Sequence, residues 1–220
     1  MSSHALRLDH DVVPAGAGLL LGPFTRVLYV VAGSIVVETD GDPTPVAAGA
    51  AWFGTGEARV RAETAARVLR YELRPGSPIG TEEAGVGGAT VHALLEQPIA
   101  LDPNGEYLLR CDRVDFAPGG EAMPHGHKGG GIRCLIAGEL TVRVGDEPPR
   151  VMKPGDAWFE SGVEPVHAVA SPGEPTSFIR VAILPRAIRG QSSIVYVDPA
   201  HAGVRPRKYT VFVDEPIDLP

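Results

Sequence analysis

The chain of 220 residues has little of several features that mark particular protein classes. Its two cysteines are too few for the disulfide framework of a small secreted domain. The net charge of −7 leaves no basic footprint for nucleic acid or for an anionic membrane surface. No apolar run approaches the ~18 residues that a membrane-spanning helix needs. We therefore expect no nucleic-acid partner and no membrane partner.

The first residues also lack the basic-then-apolar order of a secretion signal, so we expect a cytoplasmic protein. What is present is the composition of a globular protein, 44% hydrophobic and 21% charged. Glycine and proline are frequent, at 27 and 21 residues, and lie between short apolar runs. This pattern favours an all-β protein with many tight turns.

An internal repeat divides the chain. Residues 27–53 and 132–159 each contain an apolar run, an alternating strand, a polar turn and a second glycine before Ala-Trp-Phe. The short alternating strands, with no helical pattern of ~10 residues or more, predict antiparallel barrels or sandwiches. The matching positions are Ala32 and Ala137, Gly33 and Gly138, Gly49 and Gly155, and Trp52 and Trp158.

The repeat predicts two domains, 1–80 and 89–220. The Gly- and Pro-rich stretch at 75–88 reads as the linker between them. Two strand-like runs in the tail, at 193–197 and 209–213, have no counterpart in the first copy. We expect this tail to extend a sheet edge of the second domain.

Among the seven histidines, His125 and His127 form a pattern with a chemical meaning. Two histidines at positions i and i+2 of a strand point to the same face, so both imidazoles can reach one ion. His167, at the far end of the next hairpin, is the candidate third ligand. Neutral imidazole suits Fe, Zn, Cu and Ni rather than Mg or Ca.

These residues resemble the cupin superfamily of jelly-roll barrels, also described as double-stranded β-helices. The first motif of that family is Gly, five residues, His-x-His, three or four residues, Glu, six residues, Gly, and Gly119, His125, His127 and Gly138 fall on its spacing. The second motif ends in a histidine, for which His167 is the candidate. The resemblance implies two tandem cupin barrels.

Two departures from the family pattern affect the ligand set. The glutamate of the first motif would fall at 131, which is Gly131, and His167 arrives about one residue late unless a bulge absorbs it. The missing glutamate resembles the three-histidine cupins, a subset that includes non-haem iron dioxygenases. Glu121 or Glu160 remains open as a fourth ligand.

The first copy has none of the three histidines. Aligned on the repeat, His125, His127 and His167 correspond to Leu20, Gly22 and Arg61. The N-terminal barrel is therefore predicted to be a degenerate cupin barrel without a metal site, which leaves one divalent transition metal per chain. Fe(II) is favoured, and Zn, Ni, Mn and Cu stay open.

The resemblance implies a metal-dependent enzyme, foremost an Fe(II) dioxygenase acting on a small organic acid or another chelating substrate. A metal-dependent isomerase or lyase, and a non-catalytic small-molecule-binding cupin, are the alternatives. Strand alternation from Gly131 points Arg133 into the barrel, where it either clamps a substrate carboxylate or forms a structural ion pair. A homodimer is also possible.

Overall fold

The computed structural model describes residues 4–76, 85–203 and 207–220. The chain divides into two compact units, Met1–Pro103 with Leu219–Pro220, and Asn104–Asp218. Both are built almost entirely from antiparallel strands, joined by tight turns at which glycine repeatedly adopts a positive φ. The predicted all-β fold of two tandem barrels is confirmed.

The first unit consists of two five-stranded sheets, with the strand orders β10-β1-β8-β3-β6 and β5-β4-β7-β2-β9. Alternate residues of these strands face an apolar core that includes Leu28, Val30, Ile35 and Val68. The strands are His4–Val13 (β1), Gly18–Leu21 (β2), Thr25–Ala32 (β3), Ser34–Glu38 (β4), Thr44–Ala47 (β5), Ala51–Gly54 (β6), Ala58–Ala62 (β7), Ala66–Pro75 (β8), Gly85–Val86 (β9) and Thr90–Ile99 (β10).

The second unit has the sheet orders β20-β11-β18-β13-β16 and β15-β14-β17-β12-β19. Its core includes Leu135, Leu140, Trp158 and Phe178. Two short 3-10 helices, Arg186–Ile188 and Pro199–Gly203, flank β19. The strands are Tyr107–Phe116 (β11), Glu121–His127 (β12), Gly131–Ala137 (β13), Leu140–Val144 (β14), Arg150–Met152 (β15), Ala157–Glu160 (β16), Val166–Ala170 (β17), Thr176–Pro185 (β18), Ile194–Tyr196 (β19) and Arg207–Ile217 (β20).

Each strand of the second unit has a counterpart ten positions earlier in the first, in the same place of the same sheet order. The strands β19 and β20 therefore correspond to β9 and β10. The expectation that the C-terminal tail has no counterpart is wrong. Even the irregularities repeat, because β1 and β11 each shift register against the last strand of their unit, at Leu8/Asp9 and at Cys111/Asp112.

The predicted domain boundary lies too early in the chain. Residues 90–99 form β10, which pairs with β1 of the first unit, so the first unit extends to Pro103 and the second begins at Asn104. The exposure of β10 explains the error: five of its ten residues are exposed, four are partly exposed and one, Ile99, is buried, so the strand carries no clear apolar alternation. Within the predicted linker, residues 77–84 lie outside the described residues.

Among the described residues, no helix is long and apolar enough to cross a membrane.

Candidate functional site

Strand β12 places His125 and His127 side by side inside the second unit. Gly126 separates them, so strand alternation turns both imidazoles to the same side. His125 is 5% exposed as a whole residue, and the side chain of His127 is also 5% exposed. The ring centroids lie 4.9 Å apart with the rings nearly perpendicular. The structure thus places the two imidazoles together in the barrel interior, on the side that strand alternation predicts.

Both imidazoles are neutral at pH 7. Burial lowers the pKa of His125 to about 4, and the nearby Arg207 guanidinium acts in the same direction. Burial lowers the pKa of His127 to about 3, against the opposing effect of Glu160. His125 Nδ1 lies 2.7 Å from the carbonyl oxygen of Met123, which can only accept, so Nδ1 carries the proton and Nε2 has the lone pair.

Glu160, on β16, connects His127 to Arg133. Its Oε2 lies 3.1 Å from His127 Nε2 and 2.7 Å from Arg133 Nη2, and its Oε1 accepts a hydrogen bond from Trp158 Nε1 at 2.8 Å. Burial raises the pKa of Glu160, but the Arg133 charge and the donors of His127 and Trp158 outweigh burial. The pKa of this carboxyl therefore lies well below its usual range. Glu160 is a buried carboxylate whose charge is matched by the protein itself.

Arg133 faces the barrel interior, as strand alternation predicts, and is 1% exposed. Of the two roles left open for it, the structure contains the ion pair, made with Glu160. Its Nη1 also donates to the Gly131 carbonyl oxygen at 2.5 Å. Burial lowers the pKa of Arg133 to about 10, which still leaves the guanidinium charged at neutral pH.

His167 does not join the other two histidines. Its side chain is 28% exposed, and its Nε2 lies 2.7 Å from Oε1 of Glu121, which is also exposed. On β17 the inward positions belong to Val166 and Ala168, and Val166 is the residue paired with His125. The expectation of His167 as the third ligand is therefore wrong in this structure.

The physical reason is strand register. The pairing of β14 with β17 runs without a shift from Leu140↔Ala170 to Val144↔Val166. One extra residue in the β12–β17 pairing lies on β12, between Ala122 and His125. No bulge on β17 absorbs the residue by which His167 is late, so its side chain points to the outer face.

The side chains that meet here do not fit a three-histidine metal site. Within residues 4–76, 85–203 and 207–220, no group of three His, Cys, Asp or Glu side chains has an arrangement that could hold a metal ion. Glu121, one candidate fourth ligand, is engaged with His167 outside the barrel. Glu160, the other, lies beside His127 but is engaged with Arg133 and Trp158.

A cavity of about 450 Å³ lies on the β20 side of the histidine pair. This volume is in the range of small-molecule sites. A second space of about 20 Å³, enough for about one water molecule, adjoins the two histidines. Arg180, Arg207 and Tyr209 line both spaces, which places the larger cavity next to the buried pair. Its other lining residues are Arg110, Asp112, Gly190, Gln191, Ser192, Ser193, Ile194, Tyr196, Ala202 and Val211.

The arginines of the large cavity differ in how their charge is balanced. Arg180 contacts Asp112 through two nitrogens, at 3.1 and 2.5 Å, and Arg110 does the same with Asp214, at 2.8 and 3.1 Å. Arg207 donates from Nε to the Tyr209 hydroxyl at 2.6 Å, and no carboxylate of the described residues contacts it. Its Nη2 is shielded from solvent and has no hydrogen-bond partner in that part of the chain.

Arg207 and Tyr209 belong to no motif, so sequence reasoning misses them as cavity residues, although β19 and β20 lie at sheet edges as expected for the tail. The alternation of Arg207, Tyr209 and Val211, all of which line the cavity, is the signal that pointed to it.

At several of the same positions the first unit has a network of ion pairs. Arg70 corresponds to Arg180 and contacts Asp9, the counterpart of Asp112, at 3.2 Å. Arg70 also reaches Asp11 at 2.8 Å and Glu72 at 3.0 Å, with all of these side chains fully buried. The Asp–Arg pair is therefore common to the two units, whereas the histidine pair belongs to the second.

Comparison with known proteins agrees with this architecture. Residues 112–182 match the family model described as "Cupin domain". A single-residue variant of oxalate decarboxylase from Bacillus subtilis is similar over 90% of this chain and 73% of that chain, with 15% identity and a TM-score of 0.65. The oxalate decarboxylase–formate complex from Lactobacillus farciminis is similar over 90% and 82%, with 13% identity and a TM-score of 0.61. No curated protein matches the chain. The family match thus falls within the second unit, and the chain has the fold of two cupin jelly-roll barrels.

Proposed function

We propose that the second barrel binds a small organic acid in the cavity of about 450 Å³, with a carboxylate of the ligand on Arg207. The observation that carries this proposal is the Nη2 of Arg207, a shielded donor without a partner among the described residues. A buried donor left unpaired costs about 1–3 kcal/mol, which an anionic ligand regains by accepting from it.

The charges around the cavity support an anion rather than a cation. Arg180 and Arg110 are each matched by one carboxylate, of Asp112 and Asp214, so Arg207 leaves the lining with an excess of positive charge. Tyr209 and Val211 supply apolar surface for the body of a ligand. A guanidinium at an apolar wall is a common arrangement for recognising a carboxylate.

Titration calorimetry with a panel of mono- and dicarboxylates tests this function. Oxalate and formate belong in the panel because the similar structures carry these names. We expect at least one acid to bind, and Arg207→Gln to weaken it roughly 10- to 100-fold, as for the loss of a charged hydrogen bond of about 1.5–3 kcal/mol.

Arg143→Gln is the matched control, because Arg143 is an exposed arginine on β14 away from the cavity lining. It should bind the acid as the unchanged protein does. The proposal is wrong if no acid in the panel binds, or if Arg207→Gln binds with unchanged affinity.

A metal-dependent enzyme is the second candidate function, as an Fe(II) dioxygenase or as an isomerase or lyase. The observation in its favour is the neutral histidine pair with the lone pair of His125 Nε2 facing away from the Met123 carbonyl. Metal content after anaerobic purification, followed by O₂ uptake in the presence of the bound acid, separates these functions. Stoichiometric iron with acid-dependent O₂ uptake supports the dioxygenase, and turnover without O₂ supports the lyase or isomerase.

A further inference from the structure

Arg133 and Glu160 form a buried ion pair directly beside the histidine pair. Arg133 Nη2 lies 2.7 Å from Glu160 Oε2, with side-chain exposures of 1% and 6%. Trp158 Nε1 donates a hydrogen bond to Oε1, whereas Oε2 makes ion-pair contacts with Arg133 and His127 that lack hydrogen-bond geometry. The only carboxylate that the described residues place beside the histidine pair is thus occupied by protein donors.

Position 131 explains why the carboxylate expected in the first cupin motif is missing. A Cβ on Gly131 would lie 2.7 Å from Ala182 Cα and closer still to the Val181 carbonyl oxygen, because β13 and β18 approach tightly there. No side chain fits at this position without moving the two strands apart. The next inward position of β13 is Arg133, so the strand supplies a cation where the motif supplies an anion.

We propose that the Arg133 guanidinium takes the place of a metal ion in this barrel and keeps the site metal-free. Three features converge on this assignment: Gly131 removes one ligand, the register of β17 turns His167 outward, and Arg133 neutralises the remaining carboxylate. The inference goes beyond organic-acid binding and does not depend on it, since a barrel that binds no acid can still exclude metal.

Electrostatics explains the exclusion. To coordinate Glu160, a divalent cation must separate the carboxylate from Arg133, which leaves a buried guanidinium without its counter-ion and next to a second positive charge. His127 reinforces the barrier, because its Nε2 is directed at the same carboxylate rather than into open space. Arg180 adds a further guanidinium along the wall of the small cavity.

The test is metal binding by the full chain, measured by elemental analysis and by calorimetric titration with Mn²⁺, Fe²⁺, Ni²⁺ and Zn²⁺. We expect the unchanged protein to bind less than stoichiometric metal. Arg133→Met keeps an unbranched apolar stem, removes the charge and frees Glu160 beside His125 and His127. We expect this variant to gain one Zn²⁺ or Ni²⁺ per chain, and the additional change His125→Ala to abolish the gain.

Two controls separate the role of Arg133 from a general effect of an unpaired carboxylate. Arg110→Met frees Asp214, which has no histidine beside it among the described residues, and should gain no metal. Arg133→Lys retains a positive charge near Glu160 and should also gain none.

Two results would overturn the proposal. The first is stoichiometric metal in the unchanged protein that His125→Ala removes, an outcome that needs no arginine variant to fold. The second is an Arg133→Met protein with native circular dichroism that acquires no metal. Carboxylate titration of the same preparations reports on organic-acid binding separately, so failure of one proposal is distinguishable from failure of the other.

Discussion

Two glutamate–histidine contacts of similar length have different consequences because of their burial. Glu121 and His167 lie 2.7 Å apart on the outside of the barrel, where water screens the interaction to about 0–1 kcal/mol. Glu160 and His127 lie 3.1 Å apart in the interior, together with Arg133. Removal of one partner from such a buried group typically costs about 3–5 kcal/mol, because it leaves an uncompensated charge.

The buried histidines make stability depend on pH. The folded-state pKa values of His125 and His127, about 4 and about 3, lie below the ordinary 6.5, so the unfolded chain binds more protons between these values. Their contribution is complete above about pH 6.5 and is lost as the pH falls. We expect urea unfolding to give a stability that decreases from pH 6.5 towards pH 4, by up to about 1.4 kcal/mol per pH unit for each histidine.

Histidine variants identify the source of this dependence. His125→Gln should flatten the decline between pH 6.5 and 4.5, because it removes one of the two buried histidines. Glu160, whose pKa lies below its usual range, contributes stability that is lost only at more acidic pH, below about 4.5. A His125→Gln protein whose stability declines as steeply as that of the unchanged protein would contradict the assignment.

At the scale of the strands, register decides which residues reach the site. A strand alternates its side chains, so a displacement of one residue exchanges the inner and outer faces. On β17, Val166 faces inward opposite His125, so the next residue, His167, faces outward. On β12, the bulge between Ala122 and His125 adds one residue relative to β17. Because of this extra residue, His125 and His127 face inward on the same strand as the inward Ala122.

The contact between β13 and β18 makes Gly131 a structural requirement. Gly131→Ala would place a methyl group 2.7 Å from Ala182 Cα, and we expect a loss of about 1–3 kcal/mol in the free energy of unfolding from overpacking. Gly41→Ala is the control, because the nearest atom to its new Cβ is Thr39 Oγ1 at 3.9 Å. Chemical denaturation measures both, and similar midpoints for the two variants would show that the strands separate without cost.

At the scale of the whole molecule, the two units repeat the same ten-strand arrangement. The shared features go beyond strand order, since the register shift on the first strand and the Asp–Arg ion pair recur in both. What differs is the chemistry at one end of each barrel. The first unit has carboxylates and arginines there, and the second adds His125 and His127 on β12.

The assignment of β10 to the first unit predicts how the chain can be divided. A fragment of residues 1–103 retains β10 against β1, whereas a fragment of residues 1–80 leaves that edge of β1 unpaired. We expect a cooperative thermal transition by circular dichroism for 1–103 and a weaker or absent one for 1–80, because unpaired edges and lost packing destabilise small β domains. A 1–80 fragment that unfolds as cooperatively as 1–103 would contradict the boundary.

Features that depend on neighbouring residues were predictable from the sequence. The turns, the alternating strands and the internal repeat are local patterns, and they lead to the all-β fold of two barrels. The inward direction of His125 and His127 follows in the same way from alternation along β12, and that of Arg133 from alternation along β13. The boundary between the units was missed because β10 is exposed and carries no such pattern.

The site as a whole was decided only by tertiary structure. That Glu160 meets Arg133, that His167 turns outward and that Arg207 lines the cavity depend on strands far apart in the chain, β12, β13, β16, β17 and β20. A sequence motif specifies which residue types occur and at what spacing, but a shift of one residue in pairing leaves that spacing intact while reversing the face. The sequence by itself therefore determined the two barrels and the histidine pair, and the packing of distant strands determined that an arginine, rather than a third histidine, completes the interior.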